Sequence, residues 1–129
     1  MSKGEYTVTV DKTNSIIRVV ASGDFDKPLG DKMITETRTT AGKYGFNIFC
    51  DATKAKVKVP VIEWFLLPRT LPILQDQKIR TIKAAVLIPK GVQEENYKFY
   101  ENVTHNVGMN LKVFLNEEEA IKWLKAKSK

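Results

Sequence analysis

The chain has 129 residues, of which 43% are hydrophobic and 28% are charged, a composition typical of one globular domain. No apolar run reaches the length of about 18 residues that a membrane-spanning helix needs, and a single cysteine excludes an internal disulfide. The first ten residues, MSKGEYTVTV, lack the apolar region of a signal peptide, and we therefore expect a cytoplasmic protein.

The net charge of +6 comes entirely from the middle of the chain. Residues 52–92 contain eight basic and two acidic side chains, whereas residues 1–51 and 93–129 are each neutral. A local basic surface attracts anionic partners. Lysines that face different ways would instead only keep the protein soluble, and the sequence leaves both interpretations open.

The first part of the chain predicts a hairpin followed by a helix. Residues 5–10 alternate in polarity, and residues 16–25 form a second strand after the turn residues DKTNS. Asp26 is a candidate N-cap for the helix, with Pro28 in its first turn. Apolar residues then recur at helical spacing until Gly42 or Gly45 ends the helix.

Buried strands and a proline-containing helix follow. Residues 46–50, FNIFC, are typical of a strand covered on both faces, and so are residues 79–89, IRTIKAAVLIP. Between them, residues 59–77 predict a helix that Pro68 and Pro72 kink or divide, because proline lacks the backbone donor.

The last third of the chain predicts a helix, a strand and a terminal helix. These cover residues 91–108 and 110–115 and the segment after Asn116, a candidate N-cap followed by three glutamates. The resulting order, β-β-α-β-α-β-α-β-α, predicts a single α/β domain over residues 1–129. Its five-stranded sheet would be mixed, mostly parallel and covered by helices.

The element order and the segment LKVFLNEEEAIKWLK, residues 111–125, resemble the SpoIIAA-like, or STAS-like, proteins, in particular the single-domain bacterial SpoIIAA-like proteins. The resemblance implies a regulatory domain that binds other proteins, is not an enzyme, and is related in fold to lipid-carrying domains of the Sec14 type. The phosphorylated members carry an Asp-Ser-small-Gly motif after the third strand. Residues 51–65 read DATKAKVKVPVIEWF here, without serine or glycine, so we do not expect this switch.

Few residues point to catalysis. His105 is the only histidine and has no cysteine or carboxylate at ligand spacing, so we expect no metal site and no cofactor. Cys50 lies in an apolar run, where cysteine usually acts as a small hydrophobic residue, although a Cys50–His105 nucleophile pair is formally open. Asp51 would cap a local turn, pair with a nearby lysine, or act as a metal or base carboxylate.

The candidate binding surface combines the loop predicted after the third strand, from residue 51 onwards, with the helix that follows. A binding site commonly joins aromatic anchors to a charged rim. The lysines would meet an anionic group, and the apolar residues would supply the buried area. The candidate residues are Thr53, Lys54, Lys56, Lys58, Trp64, Phe65, Leu67 and Arg69.

Apolar side chains lie nearly all the way round residues 61–74, whereas a helix that covers a sheet needs only one apolar stripe. Four explanations stay open. The segment is plain core, a homodimer interface, the lining of an apolar pocket, or a membrane-surface contact helped by the lysines and Arg69. Nucleic acid binding is not expected, because no basic motif interleaved with aromatic residues is present.

Two functions compete. The first is a non-catalytic regulatory module that binds a protein partner, with a filled core and an exposed apolar patch. The alternative is a carrier or sensor of a small amphipathic anion such as a lipid or fatty acid. Its tail would lie under the Trp64 helix and its carboxylate near the three lysines. A carrier should contain an apolar cavity.

Overall fold

The computed structural model describes residues 3–91 and 93–126, with the side chains of all of these except Val61, Trp64 and Phe65. Its strands are β1 (Glu5–Asp11), β2 (Ile16–Phe25), β3 (Asn47–Val57), β4 (Ala84–Leu87) and β5 (Leu111–Phe114). Its helices are α1 (Lys27–Tyr44), α2 (Val61–Thr70), α3 (Gln77–Arg80), α4 (Glu94–Asn106) and α5 (Glu117–Lys125), and a 3₁₀ turn covers Pro72–Gln75. The predicted α/β class is confirmed.

The five strands form one sheet in the order β1-β2-β3-β4-β5. β1 pairs antiparallel with β2, and every other pair is parallel, as predicted. Right-handed connections between successive parallel strands place all the crossover helices on one face of the sheet. The helices α1 to α4 therefore lie on this first face, and α5 packs on the opposite face against β3, β4 and β5.

Each face of the sheet has its own core. Ile17, Val19 and Ile48 face the crossover helices and are buried. On the other face, Phe49 and its neighbours are buried against α5. The continuous apolar run at residues 46–50 is thus a strand covered on both faces, which is why it does not alternate.

The predicted helix caps are present. Asp26 accepts a hydrogen bond from the backbone nitrogen of Leu29 at 3.0 Å and begins α1. Gly45 ends this helix in the left-handed conformation, with φ 69°. Asn116 accepts from the backbone nitrogen of Glu119 at 3.1 Å and begins α5.

The segment after residue 50 is a strand and not the loop that the sequence suggested. β3 continues to Val57 because β2 is long enough to pair with it as far as Phe25. A bulge lies in this extension, since Val20 pairs with Asp51 but Ser22 pairs with Lys54. Two residues of β3 therefore oppose one residue of β2.

The segment between β3 and β4 is also more divided than predicted. α2 ends at Thr70, and Pro72 begins the 3₁₀ turn, whereas Pro68 lies within the helix. The strand predicted from residue 79 begins only at Ala84. Asp76 accepts hydrogen bonds from the backbone nitrogens of Lys78 and Ile79 and is the N-cap of the short helix α3, which occupies the start of the predicted strand.

Candidate functional site

A cavity of about 190 Å³ lies between the sheet and the helices α1, α2 and α4. Its floor is the first face of β2, β3, β4 and β5. Its walls come from α1 and α4, and Leu67 of α2 covers part of it. The described lining is mostly hydrocarbon, with a few polar side chains at defined places.

Small residues on the strands leave this space. The floor carries alanines where larger apolar residues would normally pack against the helices: Ala21, Ala52, Ala55 and Ala84. The bulge in β3 lets Ala52 and Ala55 both face inward although they are three residues apart. On α1, Gly30 faces the cavity without a side chain.

Charged residues mark where the cavity opens. Asp26 is exposed, and Lys27, Asp31 and Glu63 are half-buried, so the opening lies between the start of α1 and α2. Lys27 pairs with Asp31 at 2.7 Å, and this hydrogen bond raises the pKa of the ammonium group. The negative charge of Glu63 acts on the pKa of Lys27 in the same direction, more weakly.

Two polar side chains of α1 lie deep in the cavity wall. Thr37 and Arg38 are only 6% and 4% exposed. Arg38 donates from Nη1 to the carbonyl oxygens of Ile79 and Ile82, at 3.1 and 3.0 Å, which ties α1 to the segment before β4. Burial lowers the pKa of this guanidinium to about 10, so it is charged at neutral pH.

The opposite wall contributes two phenols and the strand contributes a thiol. Burial raises the pKa of Tyr100 to about 12 and also raises that of Tyr97. Cys50 is half-buried against the cavity, and burial raises the pKa of its thiol to about 12. All three groups are therefore neutral at physiological pH.

Asp51 and Thr53 form a local pair. Asp51 accepts from the backbone nitrogen of Thr53 at 3.0 Å and from its hydroxyl at 2.7 Å. This is the turn-capping role expected for an aspartate followed two residues later by a donor. The pair shapes the bulge in β3, and Thr53 itself is exposed.

The lysines do not lie at the cavity. Lys54 and Lys56 alternate with Ala55 and Val57, which line the cavity, so the two lysines point to the opposite side of the sheet. Lys58 is exposed just beyond the strand, and its backbone nitrogen donates to the carbonyl of Phe25. The three lysines were predicted to lie beside an apolar binding site. In the structure none of them lines the apolar cavity.

The residues predicted on α2 divide in a similar way. Leu67 is half-buried and lines the cavity, whereas Arg69 is exposed. The side chains of Trp64 and Phe65 lie outside the described residues. Sequence reasoning missed Thr37 and Arg38, although both occupy the buried stripe that runs along α1 from Ile34 to Ala41.

Other candidate chemistry does not converge. His105 is exposed near the end of α4, and Cys50 lies inside on β3. Over residues 3–91 and 93–126, no group of three or more histidine, cysteine or carboxylate side chains could hold a metal ion. Within the same ranges, no helix is long and apolar enough to cross a membrane.

No family model matches the sequence, and no curated protein matches it significantly. Two solved structures are similar over nearly the whole chain. One is an uncharacterized DUF3478-family protein with a SpoIIAA-like fold from Shewanella loihica PV-4. It is 13% identical, with a TM-score of 0.55, and the match covers 96% of this chain and 95% of that one.

The second is the anti-sigma factor antagonist SpoIIAA in its unphosphorylated form. It is 14% identical, with a TM-score of 0.54, and the match covers 95% of this chain and 100% of that one. Together these similarities show the fold: the chain is an α/β domain with the SpoIIAA-like fold, as the resemblance in element order implied.

Proposed function

We propose that the protein binds a small, mostly apolar molecule in the cavity between the sheet and the helices, and that it carries or senses this molecule without transforming it. The cavity of about 190 Å³ is the observation that carries this proposal. A module that acts only through its surface was expected to have a filled core. The alternative function of the sequence analysis is therefore the better supported one.

The size of the cavity limits the ligand. An apolar cavity of about 150 Å³ in another protein binds benzene, so this one has room for about six to eight carbon atoms. The ligand would be a short alkyl chain, a single aromatic ring, or the end of a longer molecule.

The helix α2 is the element best placed to admit a ligand. Glu63 and Leu67 line the cavity, but among the described residues the only elements that α2 packs against are α4 and the 3₁₀ turn. No side chain caps its first residues, and Pro68 removes a backbone hydrogen bond from its interior. Such a helix can move away from the sheet at low energetic cost.

The lining also supports binding without catalysis. A nucleophilic cysteine is deprotonated at working pH, whereas the Cys50 thiol has a pKa of about 12. The charged groups of the lining lie at the opening, except for Arg38 in the deep wall of α1. That distribution suits a molecule with one polar end.

The proposal can be tested by titrating the protein with 1-hexanol, a neutral six-carbon probe, and following methyl resonances by NMR. We expect saturable shifts at lining residues such as Val19, Ile48 and Leu67. Ala52→Leu should weaken binding at least about ten-fold by filling the floor. The control Ala126→Leu adds the same atoms at an exposed position and should change nothing. Unsaturable shifts, or equal binding by Ala52→Leu, would overturn the proposal.

A second candidate function rests on the outer side of α2. Ile62 and Leu66 lie one turn apart and are 59% and 37% exposed. Such a pair suits an apolar protein contact, with a second copy of this chain as the occupant. Analytical ultracentrifugation would show a dimer that Ile62→Ser dissociates. A monomer at all concentrations would remove this candidate and leave the cavity proposal intact.

A further inference from the structure

We infer that the ligand is a small carboxylic acid whose carboxylate lies in the depth of the cavity against Arg38 and Thr37. This inference rests on the proposed function and adds the chemical class of the ligand and its orientation. It is carried by a buried charge, by a buried hydroxyl and by the position of both on the cavity wall.

The charge of Arg38 lacks an acidic partner. No aspartate or glutamate within residues 3–91 and 93–126 lies within ion-pair distance of its guanidinium. A buried charge is costly unless an opposite charge or several hydrogen bonds compensate it. A ligand carboxylate would provide the missing counter-charge.

The guanidinium of Arg38 also has N–H donors beyond those of Nη1. It carries five N–H donors, and the bonds to Ile79 and Ile82 both come from Nη1. The Nε and Nη2 groups form the other donor edge of the planar fork. That edge has the spacing that matches the two oxygens of a carboxylate.

Thr37 provides an independent observation. Its Oγ1 atom is buried and forms no hydrogen bond with any described residue. Threonine on a helix usually satisfies its hydroxyl on the preceding turn, as Thr40 does with the carbonyl of Glu36. The hydroxyl of Thr37 is instead left without a partner among the described residues, and Thr37 forms part of the cavity wall.

The charges at the opening favour this orientation. The residues there are Asp26, Asp31 and Glu63 against the single base Lys27, so the rim is acidic. A carboxylate at the rim would meet like charges, whereas the depth of the cavity offers a cation. The acid therefore lies inside, with its apolar chain along the alanine floor towards the opening. This site replaces the three lysines, none of which lines the cavity.

The test compares two probes of equal length by isothermal titration calorimetry, hexanoate and 1-hexanol. We expect hexanoate to bind at least about ten-fold more tightly, because a charge-assisted hydrogen bond in an apolar cavity is stronger than a neutral one. Arg38→Gln should abolish this preference. Lys56→Gln also removes one positive charge, but on the far side of the sheet, and should preserve it.

Thr37→Val keeps the shape of the side chain and removes the hydroxyl. It should weaken hexanoate about three-fold or more and leave 1-hexanol unchanged. This variant and the comparison of the two probes on the unaltered protein carry the test if Arg38→Gln does not fold. Equal binding of hexanoate and 1-hexanol would overturn the carboxylate site but not the proposed function. Absence of binding by both probes would overturn the proposed function itself.

Discussion

The ammonium group of Lys83 lies 3.1 Å from the carbonyl oxygen of Trp123 and joins the residue before β4 to the end of α5. The same group donates to the carbonyl of Ala126 at 2.9 Å and lies 5.0 Å from the centre of the Trp123 ring. The last carbonyls of a helix have no partners within it and carry partial negative charge. The buried Lys83, directly before β4, thus caps the terminal helix.

Lys83→Met should therefore destabilise the protein. The methionine keeps the apolar contacts but leaves two carbonyls without their charged donor. We expect the free energy of unfolding to fall by about 2 kcal/mol, measured by urea denaturation. Lys122→Met, at an exposed position of the same helix, is the control and should change it by less than about 0.5 kcal/mol. Equal stability of the Lys83 variant would mean that burying the ammonium group costs as much as its hydrogen bonds return.

Gly30 and Gly42 form a matched pair on α1. A Cβ added at Gly30 would meet no atom within 4 Å, whereas one at Gly42 would lie 3.3 Å from Cγ1 of Ile79. Gly30→Ala should stabilise the protein by about 1 kcal/mol, because alanine favours the helix. Gly42→Ala should gain less, since Ile79 must shift. A larger gain at Gly42 in thermal unfolding would contradict the packing described here.

Asp11 predicts a pH dependence of stability. Its hydrogen bonds with Asn14 and Arg18 lower the pKa of its carboxyl from 3.8 to about 2. In the unfolded chain this group takes up a proton as the pH falls below about 4, whereas in the folded protein it stays ionised. Its contribution is therefore complete above pH 4 and is lost as the pH falls towards 2.

Asp11→Asn should remove this part of the acid dependence. Urea denaturation between pH 5 and pH 2 would show a shallower loss of stability for the variant than for the unaltered protein. Glu118→Gln, an exposed carboxylate at the start of α5, is the control for removing one negative charge. Identical slopes for Asp11→Asn and the unaltered protein would show that the Asn14 and Arg18 contacts do not form in solution.

The reactivity of Cys50, which lines the cavity, measures how readily the cavity opens to solvent. Because burial raises the pKa of its thiol to about 12, almost none of it is thiolate at pH 8. We expect a disulfide reagent to label it at least about a hundred-fold more slowly than the same chain in urea. Hexanol should slow the reaction further by occupying the cavity. Rapid labelling of the folded protein would mean that the cover over Cys50 opens readily.

Much of the fold could be predicted because its signals are local. The alternation in β1, the aspartate and asparagine caps and the left-handed Gly45 each depend on a few neighbouring residues. The length of β3 could not be read in this way, since its second half is held by pairing with β2 across the chain. The sequence suggested a loop at Lys54 and Lys56 because charged residues are frequent in loops. These lysines belong to β3, and they are exposed because one side of the strand faces solvent there.

The site was harder to predict than the fold. A cavity arises where small residues from separate strands meet, and Ala21, Ala52 and Ala84 are distant in sequence. Arg38 carried a readable signal, a charged residue on the apolar stripe of α1. The lysines drew more attention than Arg38 because they recur at every second position from Lys54 to Lys58. Charged side chains in such a series are commonly exposed to solvent.

Native mass spectrometry of the purified protein shows directly whether the cavity holds a small molecule. We expect a native mass above that of the chain by about 100 to 150 daltons, the mass of an acid with six to eight carbons, and loss of the excess on denaturation. Addition of hexanoate should produce or replace this excess in the unaltered protein and not in Ala52→Leu. A mass equal to that of the chain alone, unchanged by excess hexanoate or hexanol, would mean that the cavity binds no such molecule and that the proposed function is wrong.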